Sequence, residues 1–262
     1  MGAGAGIAHR AALGTRKRLT RPFGGPNVAL DEDPRCGPVM FMAPAEDLSE
    51  LANCLRCVLP AETVVEVTTE ASLDALLPDE AAATKEWAPQ RQLQFAAGRL
   101  CARRALARLR YPAVPILFDA EGAPIWPSGV VGSISHKRQN CVVTVARSSR
   151  TRGLGVDLEC HIAESRESEA EIVRRVCVKA SERRQAKTLR GATKSPGTLF
   201  LSAKEAFFKF QFPLTGTLLS WADVEIIVGD RGFRARAPAR SSFPSASGVI
   251  VSTGCWLAAV CF

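Results

Sequence analysis

Three short segments of this 262-residue chain carry residue types able to bind a metal or a phosphate. The first is Leu154-Gly-Val-Asp-Leu-Glu159, which reads as a strand ending on two carboxylates. Residues i and i+2 of a strand point to one face, so Asp157 and Glu159 project together. Adjacent carboxylates repel and raise each other's pKa unless a cation lies between them. Hard oxygen donors of this kind suit magnesium, which keeps several waters and is shared with substrate phosphates. A solvated strand end would carry the same two residues. The second segment is Ser202-Ala-Lys-Glu-Ala-Phe-Phe-Lys209, in a helical pattern that sets Glu205 and Lys209 one turn apart on one face. On a surface such a pair is worth only about a few tenths of a kcal/mol. Here the neighbours are Phe200, Leu201, Ala203, Ala206, Phe207, Phe208 and Phe210, and charges in so apolar a helix need partners. A third metal ligand and a phosphate-binding lysine would meet that need. The third segment, Gly132-Ser-Ile-Ser-His136, reads as a small-residue turn through which backbone can approach a phosphate. It ends on one of only three histidines, although a lone histidine serves equally as a structural residue.

The elements that must position these groups follow from periodicity. Leu93, Ala96, Ala97, Leu100 and Cys101 recur at helical spacing and predict a helix over 89–109, stopped by Tyr111-Pro112 and Pro115. Arg91 and Arg99 lie eight apart on it, within about 80° around the axis, so they could clamp one phosphate. Arg103, Arg104 and Arg108 read as its solvated basic face. Strands are expected over 62–68, 140–146, 154–159, 224–228, 232–235 and 248–262. Residues 162–190 are charged and helical in pattern, 191–197 are loop-like, and 199–210 read as a second helix with a buried face. Helix-plus-strands thus occurs once on each side of about residue 150. This layout predicts an α+β chain of two similar helix-on-antiparallel-sheet halves, 49–150 and 151–262. Residues 1–48, rich in Gly, Ala, Pro and Arg, read as a disordered basic arm.

Composition narrows the class. Hydrophobic residues make up 47% and charged residues 23%, an ordinary globular balance that excludes collagenous or wholly disordered chains. No stretch approaches the ~20 apolar residues of a membrane span. The net charge of +8 is lopsided: residues 1–30 hold five basic residues and no acid, leaving +3 elsewhere. That residue of charge and a single tyrosine argue against a nucleic-acid groove, which needs a basic surface with aromatic platforms. Nine cysteines, several in apolar runs, fit a reduced, cytoplasmic setting better than a disulfide framework. The one C-x-x-C, Cys54 to Cys57, has no second pair at zinc-site spacing and reads as a helix with two part-buried thiols.

Taken together, the segments resemble the Sfp-type 4′-phosphopantetheinyl transferases, in particular their enterobactin-synthetase and actinobacterial branch. The carriers are Phe95-Ala-Ala-Gly-Arg-Leu-Cys-Ala-Arg103, Pro124-Ile-Trp-Pro127 with Gly132-Ser-Ile-Ser-His136, Gly155-Val-Asp-Leu-Glu159 and Ser202-Ala-Lys-Glu-Ala-Phe-Phe-Lys209, followed by Phe212-Pro-Leu-Thr215. The match runs in order from about residue 52 to 225, and the joint order and spacing are more specific than any one motif. The resemblance implies a pseudo-twofold α+β fold with the active site between its halves. It implies transfer of the phosphopantetheine arm of coenzyme A to a serine of an acyl or peptidyl carrier protein, with release of adenosine 3′,5′-bisphosphate.

By position the resemblance makes Asp157, Glu159 and Glu205 ligands of magnesium, and the same oxygens serve manganese. It makes Glu205 the base for the carrier serine and Lys209 the group on the departing phosphate. Coenzyme A would be bound by Arg91, Arg99, Ser135, His136, Lys209, Leu219 and the loop Glu121, Gly122, Ala123 and Pro124. The Phe212–Thr215 turn would wall the pantetheine arm beside Leu219. One departure is Glu121, where the branch carries a lysine; an unscreened acid facing a phosphate costs about 1 kcal/mol. A carrier protein would be steered by Arg103 and Arg104, or by the basic segment 174–190. The expected state is a monomer acting without nucleic acid or membrane. Three other readings stand beside this one: a different magnesium-dependent phosphotransferase or nuclease, a nucleic-acid-binding module, and an inactive relative that binds carrier proteins.

Overall fold

The computed structural model describes residues 45–161, 166–193, 195–230, 232–238, 241, 243 and 245–262. Of the segment read as a basic arm, residues 1–44 lie outside the described residues, while 45–48 open helix α1 (Ala45–Val58). Leu48, Leu51, Ala52 and Leu55 fall at i, i+3, i+4 and i+7 and are all buried, so the helix starts a turn before the boundary that composition suggests.

The N-terminal half continues with β1 (Val64–Thr68), α2 (Pro78–Thr84), α3 (Pro89–Arg108), β2 (Val130–Lys137) and β3 (Asn140–Arg147). Its three strands form an antiparallel sheet in the order β1-β3-β2. The C-terminal half comprises β4 (Gly155–Cys160), α4 (Arg166–Val176), α5 (Ala180–Leu189), α6 (Pro196–Thr215), β5 (Glu225–Gly229), β6 (Gly232–Arg236), β7 (Ser245–Ser252) and β8 (Trp256–Cys261). Its five strands run antiparallel in the order β4-β8-β7-β6-β5. The fold is therefore α+β, and each half lays one 20-residue helix, α3 or α6, on an antiparallel sheet. Both helices begin with proline in the first turn, where its missing N–H costs nothing.

Several local expectations are corrected. Residues 132–136 are not a turn but the body of β2, in which Gly132 serves close packing. A Cβ on Gly132 would come within 2.8 Å of the Thr144 carbonyl oxygen and the Trp126 ring. The helical pattern over 162–190 resolves into α4 and α5, broken at residues 177–179. The last strand becomes the β7–β8 hairpin, turning at 253–255. Helix α6 runs past Phe210 and through Pro213, so the Phe212–Thr215 segment is its last turn, capped by Gly216 in the left-handed conformation. Helix α2 escapes periodicity because seven residues are too few to show it.

Three apolar clusters hold the elements. One packs α3 on the β1-β3-β2 sheet, and another packs α4 and α6 on the five-stranded sheet. The third joins the halves: Leu48, Leu51 and Leu55 of α1 meet Val142 of β3, Val156 and Leu158 of β4, and Trp256, Ala258 and Val260 of β8. Strand alternation thus sends Val156 and Leu158 to one face of β4, leaving Asp157 and Glu159 for the other. On that side Gly155 lets β4 touch α6 directly, since a Cβ there would collide with the Ala206 carbonyl and the Phe210 amide.

Candidate active site at the junction of the halves

Strand β2 of the first half meets β4 of the second, and Ser135 joins them. Its hydroxyl donates to Asp157 Oδ1 at 3.1 Å and accepts from the Leu158 amide at 3.1 Å and from Lys209 Nζ at 3.0 Å. Lys209, reaching from α6, also donates to Asp157 Oδ1 at 2.7 Å. Two residues along each strand the pattern repeats, with Lys137 Nζ 2.5 Å from Glu159 Oε2. The i, i+2 pair on β2 therefore faces the i, i+2 pair on β4. Each anion of β4 has a lysine beside it, one ammonium from each half of the chain.

Burial in this seam perturbs the acids. Burial and then the neighbouring Asp157 charge push Glu159 up to about 7, against the pull of Lys137. Burial tends to lower Lys137, but the charge and hydrogen bond of Glu159 outweigh it and hold the ammonium above its ordinary value. The 2.5 Å contact is that of a charged pair, and the upward push on Glu159 reflects burial first and then the Asp157 charge, which one lysine does not offset. Glu205, on α6, is raised by burial and by Asp157, with Lys209 and a Trp221 hydrogen bond acting in the opposite sense.

The other face of β2 carries His136 toward α3. Its Nε2 accepts from Arg91 Nη1 at 3.1 Å, which leaves the ring's proton on Nδ1. Burial, then the charges of Arg91 and Lys209, lower His136 to about 4, so it is neutral at pH 7. Arg99 is 6% exposed, donates to the carbonyls of Ile116 (2.6 Å) and Leu117 (3.3 Å), and lies 3.8 Å over the Phe95 ring. Burial lowers it to about 10, partly offset by Glu80, and it stays charged. Arg91, Arg99 and His136 are near enough to shift one another, so the structure brings these three together. Arg99 also fastens the 116–117 segment to α3, a task its spacing does not reveal.

Glu121, Gly122, Ala123 and Pro124 form the tip and return of a tight hairpin. Leu117 and Asp119 pair with Ile125 and Ala123 through their backbones, and Gly122 takes φ +91°, a conformation suited to glycine. The Asp119 carboxylate accepts from the amides of Glu121 and Ala123, while the Glu121 side chain is exposed. Leu219 packs against the core beneath α6, a few residues past Thr215. Arg103 is not part of a solvated face, since it is paired with the buried Glu80 at 2.7 Å, whereas Arg104 stays exposed in a surface pair with Glu70 at 2.7 Å. Arg108 pairs with Glu66. Within the basic segment 174–190, Arg183 donates to the carbonyls of Cys177 and Val178, and Arg175 stacks on Trp221. Cys54 is half-buried and Cys57 exposed on α1.

Sequence reasoning missed Lys137, though applying the strand rule to Ser135 would have found it. It also missed the aromatic cluster of Trp87, Phe95 and Phe118, whose ring centroids lie 5.2 to 5.8 Å apart beneath Arg91 and Arg99. No local pattern joins those three residues.

Among the described residues no three His, Cys, Asp or Glu side chains are drawn together into a chelating cluster. The expected trio of Asp157, Glu159 and Glu205 is instead held by lysine contacts and hydrogen bonds. Its chemistry nevertheless fits a hard divalent cation. All donors are oxygens, Asp157 raises both neighbours, and buried Asp157 Oδ2 has no hydrogen-bond partner. An unpartnered buried carboxylate oxygen is costly, and a cation would satisfy it.

A seam of oxygen donors flanked by lysine, arginine and neutral histidine is chemically suited to phosphate groups. Comparison with known proteins agrees. The family model described as the 4′-phosphopantetheinyl transferase N-terminal domain matches residues 79–146, and that of the 4′-phosphopantetheinyl transferase superfamily matches residues 153–261. The chain is 37% identical over 182 residues to the 4′-phosphopantetheinyl transferase Svp of Streptomyces mobaraensis, covering 66% of this chain and 71% of that protein. It is 33% identical over 150 residues to the 4′-phosphopantetheinyl transferase PptT of Mycobacterium tuberculosis, covering 57% and 64%. With enterobactin synthase component D of Escherichia coli O157:H7 the identity is 30% over 146 residues, covering 53% and 66%. The chain belongs to the 4′-phosphopantetheinyl transferase family and is an enzyme of that class.

Proposed function

We propose that the protein transfers the 4′-phosphopantetheine arm of coenzyme A to a serine of acyl or peptidyl carrier proteins, dependent on magnesium, with release of adenosine 3′,5′-bisphosphate. The observation that carries this reading is the convergence of Asp157, Glu159, Lys209 and Ser135 where the halves meet, with Asp157 Oδ2 unpartnered. Asp157, Glu159 and Glu205 would hold the cation, manganese being served by the same oxygens. When bound, it would neutralise the pyrophosphate and the charge growing on the leaving phosphate.

The residues divide the remaining work. Burial and the Asp157 charge raise Glu205 above an ordinary carboxylate, which makes it a stronger proton acceptor. In this reading Glu205 takes the proton of the carrier serine as its oxygen bonds to the pantetheine-side phosphorus. The bond from that phosphorus to the bridging oxygen breaks, and the Lys209 ammonium stabilises or protonates the departing oxygen. Arg91, Arg99, Ser135 and neutral His136 would bind the nucleotide phosphates. The hairpin 121–124 would line the adenosine, and Leu219 the arm. Phosphoryl transfer rests chiefly on positioning and charge neutralisation, and this seam provides both. Free thiols at all eight described cysteines support a reduced, cytoplasmic setting, and among the described residues no helix is long and apolar enough to cross a membrane. A monomer with its active site between its own halves completes the reading.

Intact mass of apo-carrier proteins after incubation with the protein, coenzyme A and magnesium tests it. The expected result is a gain of one phosphopantetheine that is lost with Asp157→Ala. No gain on acyl, polyketide and peptidyl carriers, with coenzyme A still bound, would favour an inactive carrier-binding relative.

A further inference from the structure

We propose that Lys137 is a resident counter-ion of the carboxylate pair, held on Glu159 Oε2, so that a divalent cation enters by displacing it. The inference rests on the metal reading above and concerns how that site is guarded. Lys137 and Lys209 together place two positive charges on Asp157 and Glu159, the charge of one divalent ion. The two lysines differ in how they are held. Lys209 comes from the middle of α6, is bonded to both Ser135 and Asp157, and its side chain is 19% exposed. Lys137 is the last residue of β2, beside a two-residue turn in which Arg138 takes φ +57°, and its side chain is 32% exposed. Its four-carbon stem can carry the ammonium from Glu159 into solvent without disturbing a packed neighbour.

A cation bound at Asp157 and Glu159 would face an ammonium a few ångströms away, and like charges at that range repel. Metal binding to the free protein is therefore weakened by Lys137. A polyphosphate substrate offers the displaced ammonium a new anion, which couples metal entry to substrate binding.

The test is Mn2+ binding to the full chain without coenzyme A, read as the loss of the free-ion electron paramagnetic resonance signal. Lys137→Gln is expected to bind Mn2+ about fivefold more tightly than wild type, the factor a partly exposed ion pair is worth. Lys137→Arg, which keeps the charge, should return to the wild-type affinity, and Asp157→Asn should lose binding. Lys137→Met in the same assay separates loss of charge from loss of fold and should match Lys137→Gln. Equal or weaker binding by both neutral variants, with Asp157→Asn still abolishing it, overturns the counter-ion and leaves the metal site standing. Absence of Mn2+ binding in every variant, with and without coenzyme A, overturns the metal reading and this inference with it.

Discussion

Glu80 in the N-terminal half and Glu182 in the C-terminal half perform the same structural task with different partners. Each is the third residue of a short helix, α2 or α5, and accepts from the backbone amide three residues earlier, Leu77 or Lys179. Each also accepts from an amide across the fold, Ile116 or Ile226, at 2.8 and 2.9 Å. Each pairs with a cation on the central helix of its half, Arg103 on α3 or Lys204 on α6. Both glutamates are fully buried, but the Arg103 side chain is 11% exposed and that of Lys204 is not exposed at all. Lys204 completes its bonding with the carbonyls of Val176 and Trp221, at 2.9 and 2.8 Å.

This parallel shows how one architecture carries opposite chemistry. The same lock fixes α3 and α6, yet α3 presents Arg91 and Arg99, while α6 presents Glu205 and Lys209. Each lock borders the groups its helix presents: Glu80 and Arg99 bond the same residue, Ile116, and Lys204 precedes Glu205 on α6. Of the two locks the C-terminal one is the more demanding, since a fully buried ammonium has no access to water if its partner is lost.

The largest effect that would sharpen the comparison is catalytic. Glu205→Gln is expected to lower kcat by about 10²- to 10⁴-fold with little change in the KM for coenzyme A, measured by carrier mass. Next come the locks themselves. Glu182→Ala should destabilise the fold by about 5 kcal/mol and Glu80→Ala by about 3 kcal/mol in urea unfolding, from the uncompensated buried cation each leaves. Equal losses would show that residual exposure of Arg103 does not matter. Smaller again, Arg91→Ala is expected to raise the coenzyme A KM about tenfold with kcat retained, worth ~1.4 kcal/mol. A loss confined to kcat would instead assign Arg91 to the transfer step.

The smallest effect is on titration. His136 is depressed to about 4, so its ring resonances should stay flat from pH 8 to pH 5 and move only near pH 4. Between the ordinary value of 6.5 and that point the unfolded chain binds a proton that the folded chain does not. The His136 contribution to stability is therefore complete above pH 6.5 and declines as pH falls toward 4. A midpoint near 6.5 would mean that the ring is open to solvent.

Much of the site was legible because its signals are local. Period two placed Asp157 and Glu159 on one face, period 3.6 placed Glu205 beside Lys209, and motif order assigned the family. The same reasoning failed where small residues have two uses. Gly132, Ser133 and Ser135 read as a turn, but inside the sheet Gly132 makes room for Trp126 and the Thr144 carbonyl, while Ser135 bonds across to β4 and α6. Arg103 read as a solvated cation because its partner, Glu80, lies 23 residues earlier on another helix.

By itself, then, the sequence determined the α+β class, the carboxylate and lysine positions and the family, since each depends on residue type and spacing within one element. Only the tertiary structure decided that Ser135 bridges the halves, that Lys137 faces Glu159 and that Arg99 is fastened to the 116–117 carbonyls. Those facts arise from which strand edges and helix faces meet once apolar burial has closed the halves around α1 and β4. Charge pairing across such a junction has no period along the chain, so it becomes visible only after the chain has folded.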